Sequence, residues 1–109
     1  MGRCVIVAYR PRPGQESALA AAVRDHVPLL RAEGLATDRA ATVMRAADGT
    51  VVEVFEWVSR EAIESAHGNP AVQALWSRFA AACEHLPLAS LAEARDLFAE
   101  FETCDEAAA

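Results

Sequence analysis

Apolar residues along the chain recur at two spacings, one typical of strands and one typical of helices. The β-branched run at residues 4–10 stops at a turn rich in proline and glycine, which predicts a first strand with two apolar faces. Residues 15–33 show helical spacing, and Gly34 follows where a helix end favours glycine. Pro28 lies inside this helix and is expected to kink it or to break it in two.

The central stretch is residues 51–83, which combine a strand, a capped helix, a break and a second apolar helix. Residues 42–46 and 50–58 flank Asp48-Gly49, a strong hairpin signal, so they are predicted to pair antiparallel as strands two and three. Ser59 is a predicted helix N-cap. Gly68-Asn69-Pro70 should end that helix and begin the next, since proline is favoured in a first turn.

Strand three has apolar residues on both faces and one carboxylate on each. Glu53 shares its face with Trp57, and Glu56 shares the other with three valines. We single out Glu56, because a buried carboxylate requires a partner. That acid is expected either to pair with Arg10 or Arg45, fixing register or a dimer interface, or to act in catalysis.

After residue 85 the pattern weakens. Residues 86–89 are apolar and contain a proline, so a strand there would be an edge strand. Ser90 and Glu93 form a capping-box pattern, which predicts a short amphipathic terminal helix carrying Leu91, Leu97 and Phe101. Residues 103–109 are expected to form a frayed tail. The whole chain, residues 1–109, is predicted to be one domain of order βαββαβ plus a C-terminal helix.

The charge pattern excludes several functions. The net charge is −6, and the ten basic residues are all arginine. Without lysine there is no Schiff-base chemistry and no phosphate-loop lysine. The scattered arginines argue against nucleic-acid binding. The three cysteines suggest reduced thiols, and no apolar run is long enough for a signal peptide or a membrane span, so the expected location is the cytoplasm.

The element order matches the ferredoxin-like split βαβ plan, an α+β fold in which a four-stranded antiparallel sheet carries its helices on one face. Within that plan the chain resembles the dimeric α+β barrel superfamily, specifically the antibiotic-biosynthesis-monooxygenase group. The resemblance covers residues 4–88 and rests on RPGQE at 12–16, the Asp48-Gly49 hairpin, EWVSREAI at 56–63 and HGNPAVQAL at 67–75.

The resemblance implies a homodimer whose sheets meet face to face, and a pocket between sheet and helices. Some members oxidise polycyclic phenols there without metal or flavin, whereas others degrade haem or isomerise lactones. Haem degradation is disfavoured, because Asn69 is the only asparagine and is not on strand one. Ala66 and Trp76 occupy the positions of that branch's tryptophan and haem-ligating histidine.

For the monooxygenase branch, the family's helix-two histidine falls near His67. The candidate catalytic residues are therefore His67, Glu56 and Tyr9, with a histidine or carboxylate serving as base for a phenol-like substrate. His26, Trp57 and Trp76 are the candidate substrate-binding residues. Each also has a structural interpretation: His67 as a helix-end cap, the tryptophans as ordinary core. No metal and no cofactor are expected, because Glu64 and His67 make only one Glu-x-x-His pair.

Two functions remain open. One is a cofactor-independent oxygenase acting on a small aromatic molecule; the other is a non-catalytic dimeric barrel that binds a ligand or protein partner. Catalysis predicts an apolar cavity on which at least two of the polar and aromatic candidates converge: Tyr9, His26, Glu56, His67 and Trp76. A cavity filled by Trp57, Trp76 and Phe79, with Glu56 fully paired to arginine, would argue against it.

Overall fold

The computed structural model describes residues 1–104, which fold into an antiparallel sheet with its helices on one face. The elements are β1 Arg3–Pro11, α1 Glu16–Ala32, β2 Thr42–Arg45, β3 Val51–Trp57, α2 Arg60–His67, α3 Pro70–Ala82, β4 Cys83–Leu86 and β5 Glu102–Thr103. The strand order is β4-β1-β3-β2-β5. The predicted α+β ferredoxin-like fold is confirmed, although the sheet has five strands rather than four.

The pairing of β1 with β3 sorts side chains between the two faces of the sheet. Val7 lies opposite Glu53 and Val5 lies opposite Phe55. Residues directly opposite each other in an antiparallel pair share a face. The face with Glu53 is covered by the helices and holds most of the buried core, including Leu19, Leu30, Val72, Leu75 and Phe79.

The helix starts follow the predicted caps. The Ser59 hydroxyl accepts a hydrogen bond from the Ala62 amide at 3.1 Å, and α2 begins at the next residue. The Asn69 side chain accepts from the amides of Ala71 and Val72, so it caps α3. Each cap satisfies an amide that has no partner inside its own helix.

Of the two outcomes predicted for Pro28, a kink or a break of the first helix, the break does not occur. Helix α1 runs without interruption from Glu16 to Ala32 with Pro28 inside it. Four residues of this helix around the proline are buried, namely Val23, His26, Val27 and Leu30. Packing of this apolar stripe on the sheet outweighs the loss of one backbone hydrogen bond.

The chain after α3 also differs from its prediction. The edge strand β4 is Cys83–Leu86, so it begins three residues before the predicted segment, and Leu88–Ser90 forms a 3-10 turn. No terminal α-helix forms within the described residues. A second 3-10 turn, Ala92–Arg95, takes its place, and Glu93 accepts from the Ala47 amide at 2.7 Å instead of closing a capping box.

This C-terminal segment, residues 88–104, crosses the outer face of the sheet, where Leu91 packs with Ala8, Ala46 and Val52. It ends as β5, which pairs with β2. Residues 103 and 104, predicted to belong to a frayed tail, are therefore held in place: the Cys104 amide donates to the Val43 carbonyl at 3.0 Å. Residues 105–109 of that tail lie outside the described residues.

Part of the outer face stays open beside this segment. Ile6 on β1 is 52% exposed, and Leu97 and Phe98 on the C-terminal segment are 93% and 79% exposed. Among the described helices, none has the length and apolar character needed to cross a bilayer.

Candidate functional site

A cavity of about 330 Å³ lies between the sheet and helices α1 to α3. Its wall is almost entirely aromatic and aliphatic, and the lining side chains come from every layer of the fold: Val5, Val7, Tyr9, His26, Phe55, Trp57, Ile63, Trp76, Phe79 and His85. The cavity is not filled by Trp57, Trp76 and Phe79. An apolar hollow with a few convergent polar atoms is the usual form of a small-molecule site.

Polar atoms of three wall residues, Tyr9, His26 and Trp76, form one connected hydrogen-bond network with Glu53. Glu53 is 1% exposed, and its Oε1 accepts from the Tyr9 hydroxyl at 2.7 Å. The same oxygen lies 2.9 Å from Nδ1 of His26. On the far side of the imidazole, the Trp76 indole Nε1 donates to Nε2 of His26 at 3.2 Å.

The network selects one tautomer of His26. An indole N–H can only donate, so Nε2 of His26 must accept with its lone pair. The single proton of the neutral imidazole is then on Nδ1, from which it is donated to the Glu53 carboxylate. Glu53 thus holds one tautomer of His26 and leaves the basic nitrogen, Nε2, towards Trp76.

Tyr9 cannot act as a base in this setting. Its hydroxyl is buried beside Glu53, and desolvation, reinforced by the negative charge of Glu53, raises the pKa of the phenol far above its ordinary value. The phenol therefore remains protonated and serves as a donor to Glu53. Tyr9 and His26 together satisfy Glu53 Oε1 in an otherwise apolar surrounding.

Aromatic rings pack around His26. Phe79 and Phe55 lie with their ring centroids 4.9 Å and 5.2 Å from the imidazole, both in edge arrangements. His85, an exposed residue of β4, stands edge-on to Tyr9 at 5.2 Å and completes the cavity wall. These rings hold the imidazole in one orientation.

Four of the predicted site residues meet at this cavity: Tyr9, His26, Trp57 and Trp76. His67 lies outside its wall. It is exposed at the end of α2, its Nδ1 bonds the Ile63 carbonyl at 2.9 Å, and its ring packs edge-on against Trp76 at 5.3 Å.

Glu56 is also outside the cavity, on the opposite face of the sheet. Its predicted partners were Arg10 and Arg45, but its carboxylate instead accepts from Thr37 at 2.9 Å and from Arg39 at 3.2 Å. These two hydrogen bonds, together with the charge of Arg39, hold the pKa of Glu56 below its ordinary value. Glu56 therefore anchors the loop between α1 and β2.

Sequence reasoning missed His85 as a wall residue and Glu53 as the buried partner of Tyr9 and His26. The alternation of side chains along the strand did place Glu53 on the same face as Trp57, and this was the available signal that Glu53 lies near the cavity. His85 had been placed before the last strand, whereas it lies within β4, opposite Tyr9. Within residues 1–104 no three His, Cys, Asp or Glu side chains cluster in a way that could hold a metal ion.

Comparison with known proteins places this chain in a family. No curated protein matches the chain. A solved structure, that of Rv0793 from Mycobacterium tuberculosis, superposes with a TM-score of 0.61 over 80% of this chain and 94% of that one. At 24% identity this likeness concerns the fold alone. The family model for antibiotic biosynthesis monooxygenases matches residues 3–77, which include β1 to β3 and most of the cavity wall, so the chain belongs to that family.

Proposed function

We propose that this protein binds a small aromatic molecule in the cavity and oxidises it with molecular oxygen, without a metal or flavin. The observation that carries the proposal is His26, a buried histidine that lines an otherwise apolar cavity and is paired with the buried Glu53 at 2.9 Å. Family membership supports the same class of function.

The cavity suits a flat, uncharged ligand. Its volume of about 330 Å³ is at the small end of ligand pockets, and its wall offers aromatic edges and faces from Phe55, Trp57 and Phe79. Offset and edge-to-face contacts with these rings favour an aromatic body. A charged ligand would lose its hydration without finding a counter-charge, because Glu53 is already engaged with Tyr9 and His26.

His26 is the proposed general base. A phenol or enol that donates to Nε2 can pass its proton to the imidazole, and Glu53 stabilises the imidazolium that forms. The resulting anion is electron-rich and can react with O₂. Tyr9 positions Glu53 and does not exchange its own proton. In this proposal His67 and Glu56 are not catalytic.

The reaction balances with O₂ as the sole oxidant. A ring methylene that is activated as its enol tautomer becomes a carbonyl, whose oxygen comes from O₂. The second oxygen atom leaves as water with the two hydrogens that the methylene loses. Every electron taken up by O₂ comes from the substrate.

One observation favours the competing function, a non-catalytic binding protein. Both ring nitrogens of His26 and Oε1 of Glu53 already have partners inside the protein. A closed network of this kind also serves to stabilise a core. Binding without turnover would then be the outcome of the experiment below.

The proposal includes a homodimer formed through the outer face of the sheet. The support is the exposed Ile6 on that face, next to Val54 across the β1–β3 pair, and the frequent occurrence of dimers in the family. Exposed apolar side chains on a sheet face commonly mark an interface.

Anthrone, a three-ring ketone with one activated methylene, is a suitable probe. We expect binding, oxygen consumption and formation of anthraquinone that carries one atom from isotope-labelled O₂. His26→Phe should abolish turnover, while Glu56→Gln, on the opposite face, should leave it intact. Binding without oxygen uptake would support the non-catalytic function, and failure of anthrone and 1-naphthol to bind would overturn the proposal.

A further inference from the structure

We infer that a ligand hydroxyl displaces Trp76 from His26. The indole N–H of Trp76 donates to Nε2 of His26 until the O–H group of a ligand replaces it as the donor. The inference rests on the proposed function, because it requires that the cavity binds an aromatic molecule. What it adds is that Trp76 determines specificity, because the displaced indole donor must be replaced by a hydroxyl of the ligand.

The first argument is the hydrogen bond itself. Trp76 Nε1 lies 3.2 Å from His26 Nε2, and the indole is part of the cavity wall. A ligand hydroxyl is a donor of the same kind. It can therefore replace the indole without leaving Nε2 unpaired, and it brings an aromatic body to the position of the indole ring.

The second argument is that Trp76 is less confined than the other large aromatic side chains of the wall. Trp76 is only partly buried, whereas Phe79, Phe55 and Trp57 are 2%, 3% and 5% exposed. One neighbour of the indole is the exposed imidazole of His67, whose ring centroid is 5.3 Å away. Rotation of Trp76 about its side-chain bonds would disturb an exposed contact, whereas rotation of Phe79 would open the core.

The third argument concerns the lone pair of Nε2. While Trp76 donates to Nε2, that lone pair is engaged and cannot accept a proton from a ligand. The groups facing His26 are Glu53 from β3, Trp76 and Phe79 from α3, and Phe55 from β3, with the Tyr9 hydroxyl of β1 reaching it through Glu53. Among these only Trp76 contacts Nε2 with a hydrogen-bond donor. Release of Trp76 therefore frees Nε2 for the hydroxyl of a ligand.

Selectivity for a hydroxyl follows from these contacts. A methyl ether of the same shape would displace the indole and leave Nε2 without a donor in an apolar site. An unpaired buried acceptor weakens binding by roughly tenfold or more. The cavity should thus separate 1-naphthol from 1-methoxynaphthalene, which differ in that one donor.

The test is titration of the wild-type protein with each compound, followed by the NMR signals of the two indole N–H groups. We expect 1-naphthol to shift the Trp76 signal, and 1-methoxynaphthalene to bind at least about tenfold more weakly. If 1-naphthol binds while the Trp76 signal stays in place, or if both compounds bind equally, the inference fails and the proposed function stands. If neither binds, the inference fails, and the proposed function fails as well only if anthrone also does not bind.

A second measurement tests the contact by mutation. In Trp76→Phe, which keeps an aromatic ring at a partly exposed site, 1-naphthol should bind more tightly than to the wild type, because no indole N–H competes for Nε2 of His26. Trp57→Phe, a change in the same wall away from Nε2, should bring no such gain. Equal affinity of the wild type and Trp76→Phe for 1-naphthol would overturn the role inferred for Trp76.

Discussion

Glu53 and Glu56 stand three positions apart on β3 and point to opposite faces of the sheet. Side chains alternate along a strand, so an odd spacing separates them. Glu53 is 1% exposed and bonded to Tyr9 and His26, whereas Glu56 pairs at the surface with an Arg39 side chain that is 67% exposed. Two identical side chains on one strand thus provide a matched pair for mutation.

Glu53→Ala should destabilise the fold far more than Glu56→Ala. Loss of Glu53 leaves the buried Tyr9 hydroxyl and the His26 Nδ1–H without an acceptor, which costs about 3 kcal/mol of unfolding free energy. Glu56 pairs with an arginine that is 67% exposed, and ion pairs that are open to solvent contribute little. Urea denaturation of both variants gives the comparison; equal losses would show that Glu53 is not the centre of the network.

Tyr9 should resist ionisation in the folded protein. Its folded pKa is raised by burial and by Glu53, so the stability that its proton provides is complete below about pH 10 and is lost as the pH rises beyond that value. Tyr9 is the only tyrosine, so the near-ultraviolet absorbance of tyrosinate reports it alone. We expect this absorbance to appear together with unfolding in alkali. Ionisation near pH 10 in a folded chain would contradict the buried network.

Thr50→Val should stabilise the protein. Among residues 1–104, Thr50 Oγ1 is buried without a hydrogen-bond partner, and valine has the same shape without the hydroxyl. Relief of this desolvation should add about 1 kcal/mol to the unfolding free energy, measured by thermal or urea denaturation. The matched control is Thr37→Val, which removes a hydroxyl that donates to Glu56 at 2.9 Å and should bring no gain. A destabilised Thr50→Val would imply a partner for this hydroxyl.

Ile6→Glu should convert the proposed dimer to a monomer. The side chain is 52% exposed on the outer face, where a carboxylate would have to be desolvated at a face-to-face interface. Light scattering at micromolar concentration measures the change. Ser65→Glu, on an exposed position of α2, serves as the control and should remain dimeric. A wild-type chain that is monomeric at that concentration would refute the dimer.

Local signals in the sequence were sufficient for most of the fold. The Asp48-Gly49 hairpin, the Ser59 cap and the first-turn Pro70 each act through contacts with residues close in sequence, so their consequences follow from spacing. The prediction of a C-terminal helix failed for the opposite reason. Its apolar periodicity was satisfied by contacts with a distant sheet, since Leu91 packs against Ala8 and Val52, and Leu97 remained exposed.

The site was only half predictable. Alternation along β3 correctly put one acid on each face, but both faces were apolar, so the sequence offered no way to decide which face the helices cover. Glu56 was chosen and Glu53 was the buried one. The connection from Glu53 through His26 to Trp76 joins residues from β3, α1 and α3, and such a contact depends on how those elements pack.

The short strand β5 is one of the two edge strands of the sheet. It pairs with β2 and has two residues, whereas the other edge strand, β4, has four residues, carries Glu84 and is followed by Pro87. Unpaired backbone at a sheet edge is a template on which a second chain can add as a new strand. Edge strands that are short, charged or ended by a proline discourage this addition. The segment that crosses the outer face therefore also protects the protein from uncontrolled strand-to-strand aggregation.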